Sequence, residues 1–137
     1  MSFDKQKAEA SKKNLQNADL KNADLQEADL SEGILIEACL ENCNLSEADL
    51  CGTDISGANL KNARLHRTVL YRCRGKEVDF SNAVLTQANL VEANLSGANF
   101  THANLMESNI EGANLTNACF KDANLSEVNL TGVFLAN

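Results

Sequence analysis

The chain has 137 residues, enough for one domain and little more. Hydrophobic residues make up 44% of it, too many for generic disorder, and no apolar stretch is long enough to span a membrane. The net charge of −7 is the wrong sign for a general nucleic-acid binder.

The first residues are charged and polar, with no apolar core of a secretory leader, so none is expected. Asp4 to Lys13 is rich in helix formers and predicts a short helix. Lying across whatever follows, it would act as a cap over residues 1–13, with Phe3 as its plug.

From Leu15 to Leu135 the chain repeats every five residues. That register has 25 positions, of which 24 hold Leu, Ile or Phe and one holds Gly75. Two residues earlier, from residue 18 onward, stands a small residue: Ala at 15 positions, otherwise Gly, Ser, Thr, Cys or Val. The residue between is mostly Asp or Asn. A helix buries every 3.6 residues and a strand every second one, so a period of five fits neither. It fits a solenoid in which each block makes one flat side and a turn. The large and small residues then point into a narrow, close-packed interior, and the other three point out, where Asn, Asp, Gly and Ser suit turns.

The unit Ala-(Asn/Asp)-Leu-x-x resembles the signature of the pentapeptide-repeat family, over roughly residues 14–137. The resemblance implies an all-β fold, a right-handed quadrilateral β-helix with four blocks, or 20 residues, per coil. Twenty-five blocks make about six coils, and at ~4.8 Å per coil the rod is roughly 30 Å long.

Residues 20 apart then stack as ladders. Asn22, Asn42, Asn62 and Asn82 form one, able to exchange amide hydrogen bonds. Arg67 falls beside Glu47, and Arg72 beside Glu92. Charge is segregated along the rod. Residues 14–60 carry ten acids and one Lys, and residues 77–137 carry seven acids and one Lys. Between them Lys61, Arg64, Arg67, Arg72, Arg74 and Lys76 stand with no acid. One coil's worth of chain passes once around the rod, so these cations form a belt and not a one-sided patch. The belt is either a solvated coil pairing with acidic neighbours or the contact surface for an acidic protein partner.

Gly75 interrupts the core ladder. A hole in place of a Leu side chain would cost ~2.7–5 kcal/mol if unfilled. Tyr71, Cys73 or a backbone shift could fill it, or residues 73–77 could bulge out as a loop. The reading preferred is an in-register coil with a local distortion. Towards the C-terminus no cap is evident, and Phe134 takes an outward position where Asn is the norm. Phe134 and Leu135 are candidates for self-association as a homodimer through the C-terminal coil; the alternative is a frayed end.

Catalytic and metal-binding motifs are absent from the sequence: no phosphate-binding loop, nucleophile elbow or zinc-ligand spacing. His66 and His102 read as surface residues. Cys43 and Cys73 fall on inward positions, Cys39, Cys51 and Cys119 on outward ones. No two are ladder neighbours, so five free thiols and a reducing, cytoplasmic location are expected. No enzyme activity, cofactor or metal is expected, nor any direct contact with nucleic acid or membrane. The expected function is a non-catalytic structural or protein-interaction module. The alternative comes from the resemblance: acidic members that mimic DNA, bind gyrase and give quinolone resistance. Duplex DNA carries one charge per ~1.7 Å, this rod about one per ~4 Å, and the belt interrupts it. The family's abundance in cyanobacteria implies a third role, in their signalling or differentiation.

Overall fold

A computed structural model of the chain describes residues 4–136; Phe3, the expected plug, lies outside them. The chain opens with helix α1 (Lys5–Ala10) and a 3-10 turn (Lys12–Asn14). Asp4 caps α1 by accepting a hydrogen bond from the Lys7 N–H at 2.8 Å.

The rest of the chain winds as a coil of 20-residue period. Twenty parallel bridges, each joining residues 20 apart, form four columns of six levels. The first face runs from Ile34 to Phe134, the second from Asp19 to Cys119. The third runs from Asp24 to Asn124, and the fourth from Asp29 to Asn129. The expected all-β character takes the form of one-residue bridges and not of extended strands, because two of every five residues are spent on a turn.

A block inside the rod with Asp or Asn before its core residue satisfies its five N–H groups in a fixed way. In the block centred on Leu60, the Ala58 N–H closes the preceding turn onto Ile55 O at 2.9 Å. The Asn59 N–H reaches back to Ala38 O, while those of Leu60 and Asn62 reach forward to Asp79 O and Ser81 O. The fifth, on Lys61, is taken by the side chain of Asn59 at 2.9 Å. From Leu20 onward all 16 Asp and Asn residues at the position before a core Leu, Ile or Phe make this bond to the N–H two residues on. This is why the repeat favours those residues there. The second turn residue of each block has positive φ, near +60°; 19 of them are not glycine. Four of the five glycines at this position lie one coil after a Glu, whose side chain leans into the space the glycine leaves: Glu32 over Gly52, Glu37 over Gly57, Glu77 over Gly97 and Glu92 over Gly112.

The interior is filled from end to end by the large and small residues of the register, with Leu15 to Leu115 buried. Phe80, Phe100 and Phe120 stack along the second face, their centroids 5.2 and 5.0 Å apart and their planes 13° and 2° from parallel. Such offset pairs contribute about 0.5–1.5 kcal/mol each beyond burial.

The N-terminal segment stands where a preceding coil would. Ala8 is fully buried in the core cluster. The Ile34 N–H donates to Lys12 O at 2.7 Å and the Asp29 N–H to Glu9 Oε2 at 2.8 Å. Gly33 permits this close approach, because a Cβ there would lie 3.1 Å from Lys12 O and 2.7 Å from Leu30 O.

At Gly75 the coil stays in register and the expected distortion is absent. Arg74 bridges both Asp54 and Asn94, and the Gly75 N–H donates to Asn94 O at 2.7 Å like its neighbours. Neither Tyr71 nor Cys73 is what crowds the site. A Cβ on Gly75 would meet Leu95 Cδ2 at 3.0 Å, Ile55 Cγ1 at 3.3 Å and Val78 Cγ1 at 3.3 Å. The core residues one coil either side close over the space.

Candidate interaction surfaces

The six cations do encircle the rod. Arg64 is on the third face and Arg74 on the first, and Lys61, Arg67, Arg72 and Lys76 occupy the four turns between faces. They are not equivalent. Arg72 donates to Glu92 at 2.6 Å and lies over the Tyr71 ring, 5.2 Å from its centroid. Its hydrogen bond to Glu92 holds the guanidinium more firmly protonated. Arg74 sits 3.5 Å from the Asp54 carboxylate. At Asp54 burial works to raise the pKa, but hydrogen bonds from Ser56 and the charge of Arg74 outweigh it and the carboxyl is held below its usual range.

Among the described residues Lys61, Arg64, Arg67 and Lys76 have no ion-pair partner. The expected relief of Glu47 by Arg67 is therefore not a contact, whereas that of Glu92 by Arg72 is. In the Asn ladder, Asn42 donates to Asn22 at 3.2 Å; Asn62 and Asn82 form no such link.

Three of the four unpaired cations, Lys61, Arg64 and Arg67, are on the third face or the turns that flank it. Arg64 bridges Val84, which bridges Asn104, and both the Val84 and Met106 side chains are exposed. The His66 ring contacts Thr86 Oγ1 at 2.7 Å on the same side. Sequence reading passed over Val84 and Met106; the available signal was a Val where the repeat calls for Asn or Asp.

At the C-terminal end the core opens. Leu115 is buried, but Leu125 is 36%, Leu130 52%, Leu135 59% and Phe134 63% exposed. The N–H groups of Asn117, Phe120, Asp122, Leu125, Glu127, Leu130, Gly132 and Leu135, whose counterparts one coil earlier donate forward, have no backbone partner among the described residues. Phe134 bridges Asn114 and lines a groove with Glu92, Gly112 and Thr116.

All five cysteines are free. Cys43 and Cys73 are buried, and burial pushes each thiol up to about 12. Cys119 is exposed, and its contact with the Thr101 hydroxyl lowers its thiol. His102 lies 3.8 Å from Asp122. Among the described residues no three His, Cys, Asp or Glu side chains converge as a metal site, and no helix is long and apolar enough to cross a membrane.

Against known families, the family described as Pentapeptide repeats matches in eight copies, over residues 6–35, 14–46, 43–74, 76–112 and 93–132. No curated protein matches the sequence. Among solved structures, the chain is similar to the pentapeptide repeat protein Rfr23 from the cyanobacterium Cyanothece 51142, at 36% identity and a TM-score of 0.65, covering 66% of this chain and 62% of that one. It thus spans less than two thirds of that relative's length. It is also similar to HetL from the cyanobacterium Nostoc sp. strain PCC 7120, a protein involved in heterocyst differentiation regulation (27% identity, TM-score 0.43, covering 88% and 69%). A third is QnrB1, a plasmid-mediated fluoroquinolone resistance protein (20% identity, TM-score 0.49, covering 92% and 86%).

Proposed function

The chain belongs to the pentapeptide-repeat family, whose members fold as right-handed quadrilateral β-helices, and from that premise we propose that it is a non-catalytic protein-interaction module of the cytoplasm. In this reading α1 caps the first of six coils, and the rod displays its four faces to a protein partner. One observation carries it: a single coil gathers six cations on the outside of a rod with a filled interior, and four of them are left without an acidic neighbour in contact. Most carboxylates are strung along open faces, where nothing separates acid from base roles; Asp24 and Glu27 share one surface hollow, with Lys5 and Gln26. The five free thiols support the cytoplasmic part of this reading.

The test is an affinity pull-down comparing the wild type with a variant in which Arg64, Arg67, Arg72 and Arg74 are replaced by Glu. Glu stands at the same positive-φ turn position in Glu27, Glu47 and Glu92, so the turns at 67 and 72 tolerate the reversal. A protein held by the wild type and lost by the variant supports the reading. Identical background from both removes it.

A second association concerns the C-terminal coil, where exposed Leu130, Phe134 and Leu135 and a row of unpaired N–H groups favour a homodimer. The DNA-mimic alternative is not favoured. It needs an unbroken acidic face, and each of the four described faces is interrupted: by Arg74 on the first, Asn59 on the second, Arg64 on the third and Val69 on the fourth.

A further inference from the structure

We infer that the third face binds an extended segment of a partner protein in which acidic residues adjoin apolar ones; this deepens the interaction-module reading and rests on it.

The first ground is the conduct of the repeat itself. The residue before each core Leu is Asp or Asn wherever its side chain accepts the N–H of the following turn. Arg64 and Val84 are the one bridged pair, among the described bridges, in which neither residue can do this. The N–H groups of His66 and Thr86 consequently lack the side-chain acceptor that 16 turns have, and only here do two stacked levels of one face lack it together. Two successive levels of one face give up a local stabilising bond, which places the selection for Arg64 and Val84 outside the fold.

The second ground is charge. The six-cation belt is symmetric in sequence but not in effect. Arg72 and Arg74 are each neutralised by an acid one coil away, at 2.6 and 3.5 Å. Of the unpaired cations, Arg64 and Arg67 project from this face and its following turn, and Lys61 from the turn before it. Three of the four unpaired positive charges therefore lie on this side, and the fourth, Lys76, is on the turn between the first and second faces. A guanidinium without a carboxylate partner is the group best suited to capture one in a fork.

The third ground is the apolar surface beside it. Val84 lies one coil from Arg64, and Met106 one coil further, next to Gln87, whose N–H donates to Met106 O at 3.0 Å. Both are exposed, Met106 with a flexible thioether that moulds to different partners. Coils are ~4.8 Å apart and an extended chain advances ~3.3 Å per residue. A peptide running along the rod axis would thus set a carboxylate on Arg64 and Arg67, an apolar side chain one to two residues away on Val84 and another about three residues away on Met106. Glu47 and Glu107 mark the two ends of the patch on its turn side. They repel acidic residues placed beyond either end and so hold the carboxylates at Arg64 and Arg67.

The test uses fluorescein-labelled synthetic peptides and anisotropy with the full chain. The first peptide has two Glu followed by two Leu at alternate positions. In the second Lys replaces Glu, and in the third Ser replaces Leu. The expected result is saturable binding of the first that weakens with salt and is at least about tenfold tighter than either control. The variant R64E/R67E should lose it, V84N/M106S should weaken it, and R72E/R74E should retain it. Circular dichroism checks that each variant keeps its fold. Binding that R72E/R74E abolishes and R64E/R67E spares, or equal binding of all three peptides, overturns the assignment to this face, as does no binding. A partner recovered from lysate whose retention ignores R64E/R67E but needs Arg72 and Arg74 would likewise overturn it while leaving the interaction-module reading intact. Recovery of no partner at all, with peptide binding as expected, would instead count against that wider reading alone.

Discussion

Leu95 Cδ2 lies 3.0 Å from the point where a Cβ on Gly75 would be. The glycine that breaks the Leu ladder is thus not a void but the space into which Leu95 and Ile55 settle from the coils on either side. Restoring the repeat at this position should therefore harm the fold. Gly75→Ala is expected to cost about 1 kcal/mol and Gly75→Leu about 3 kcal/mol, as for overpacked cores. Leu95→Ala alone should cost about 3–5 kcal/mol. The combination G75A/L95A should cost clearly less than the sum, since each change accommodates the other. Urea denaturation of the four proteins reads this directly. Additive costs would mean that Leu95 does not occupy the space.

Ser108 holds an inward position where Ala is the norm, fully buried, and its hydroxyl has no hydrogen-bond partner. The other buried hydroxyls in the same register position are satisfied: Thr53 donates to Leu50 O and Thr68 to Leu45 O, both at 2.7 Å. Ser108→Ala removes an unpaired polar group at nearly constant volume and should stabilise by about 1 kcal/mol. Thr68→Ala, which removes a satisfied hydroxyl and a methyl group, should destabilise by a similar amount. The two midpoints should move in opposite directions.

The fold was legible because one spacing fixes it. Two dozen core residues at a period of five admit only a narrow coil, and the inward Ala, Cys and Thr follow from its width. Position-specific packing was less so. Gly75 read as a hole because a sequence shows the missing side chain and not the neighbours that lean into its place. The cation belt read as symmetric for a related reason. Stacking by 20 residues puts Arg67 beside Glu47 and Arg72 beside Glu92 alike, yet only the second pair comes within ion-pair distance. Which cations remain free depends on side-chain reach across a coil. Asn59 and its equivalents were attributed to turn preference in general, whereas their function is specific: each supplies the acceptor for one backbone N–H that the coil leaves over.

The buried thiols should make the protein sensitive to alkali. In the native state Cys43 and Cys73 are pushed up to about 12, by burial above all, whereas an unfolded thiol titrates near 8.5. Between those values the unfolded chain has released protons that the native chain retains. Stability is therefore fully present below about pH 8.5 and declines as pH rises towards 12. Ala is the usual residue at both positions, so C43A/C73A should fold normally and show a shallower decline. The measurement is the difference between the two urea midpoints across pH 7–10. A constant difference would mean the thiols do not contribute. At pH 8 a thiol reagent should modify Cys119 first, given its exposure and lowered pKa, and leave Cys43 and Cys73 unmodified until the protein unfolds.

In the proposed homodimer the open C-terminal coil is the contact. The Phe80–Phe100–Phe120 stack reaches it with the last ring only partly covered, and Leu125, Leu130 and Leu135 follow around the same end, exposed. Among the described residues eight N–H groups without a backbone partner rim this surface, and a row of them is a template for pairing with another chain. A second copy turned end to end presents the same apolar surface, so the contact can be self-complementary. Light scattering at high micromolar concentration should give twice the chain mass for the wild type and the single mass for L130E/F134E. The remaining core, from Leu15 to Leu115, is untouched by these substitutions and keeps the coil folded in the variant. A wild type that stays monomeric under these conditions removes the homodimer and leaves this end for a different partner.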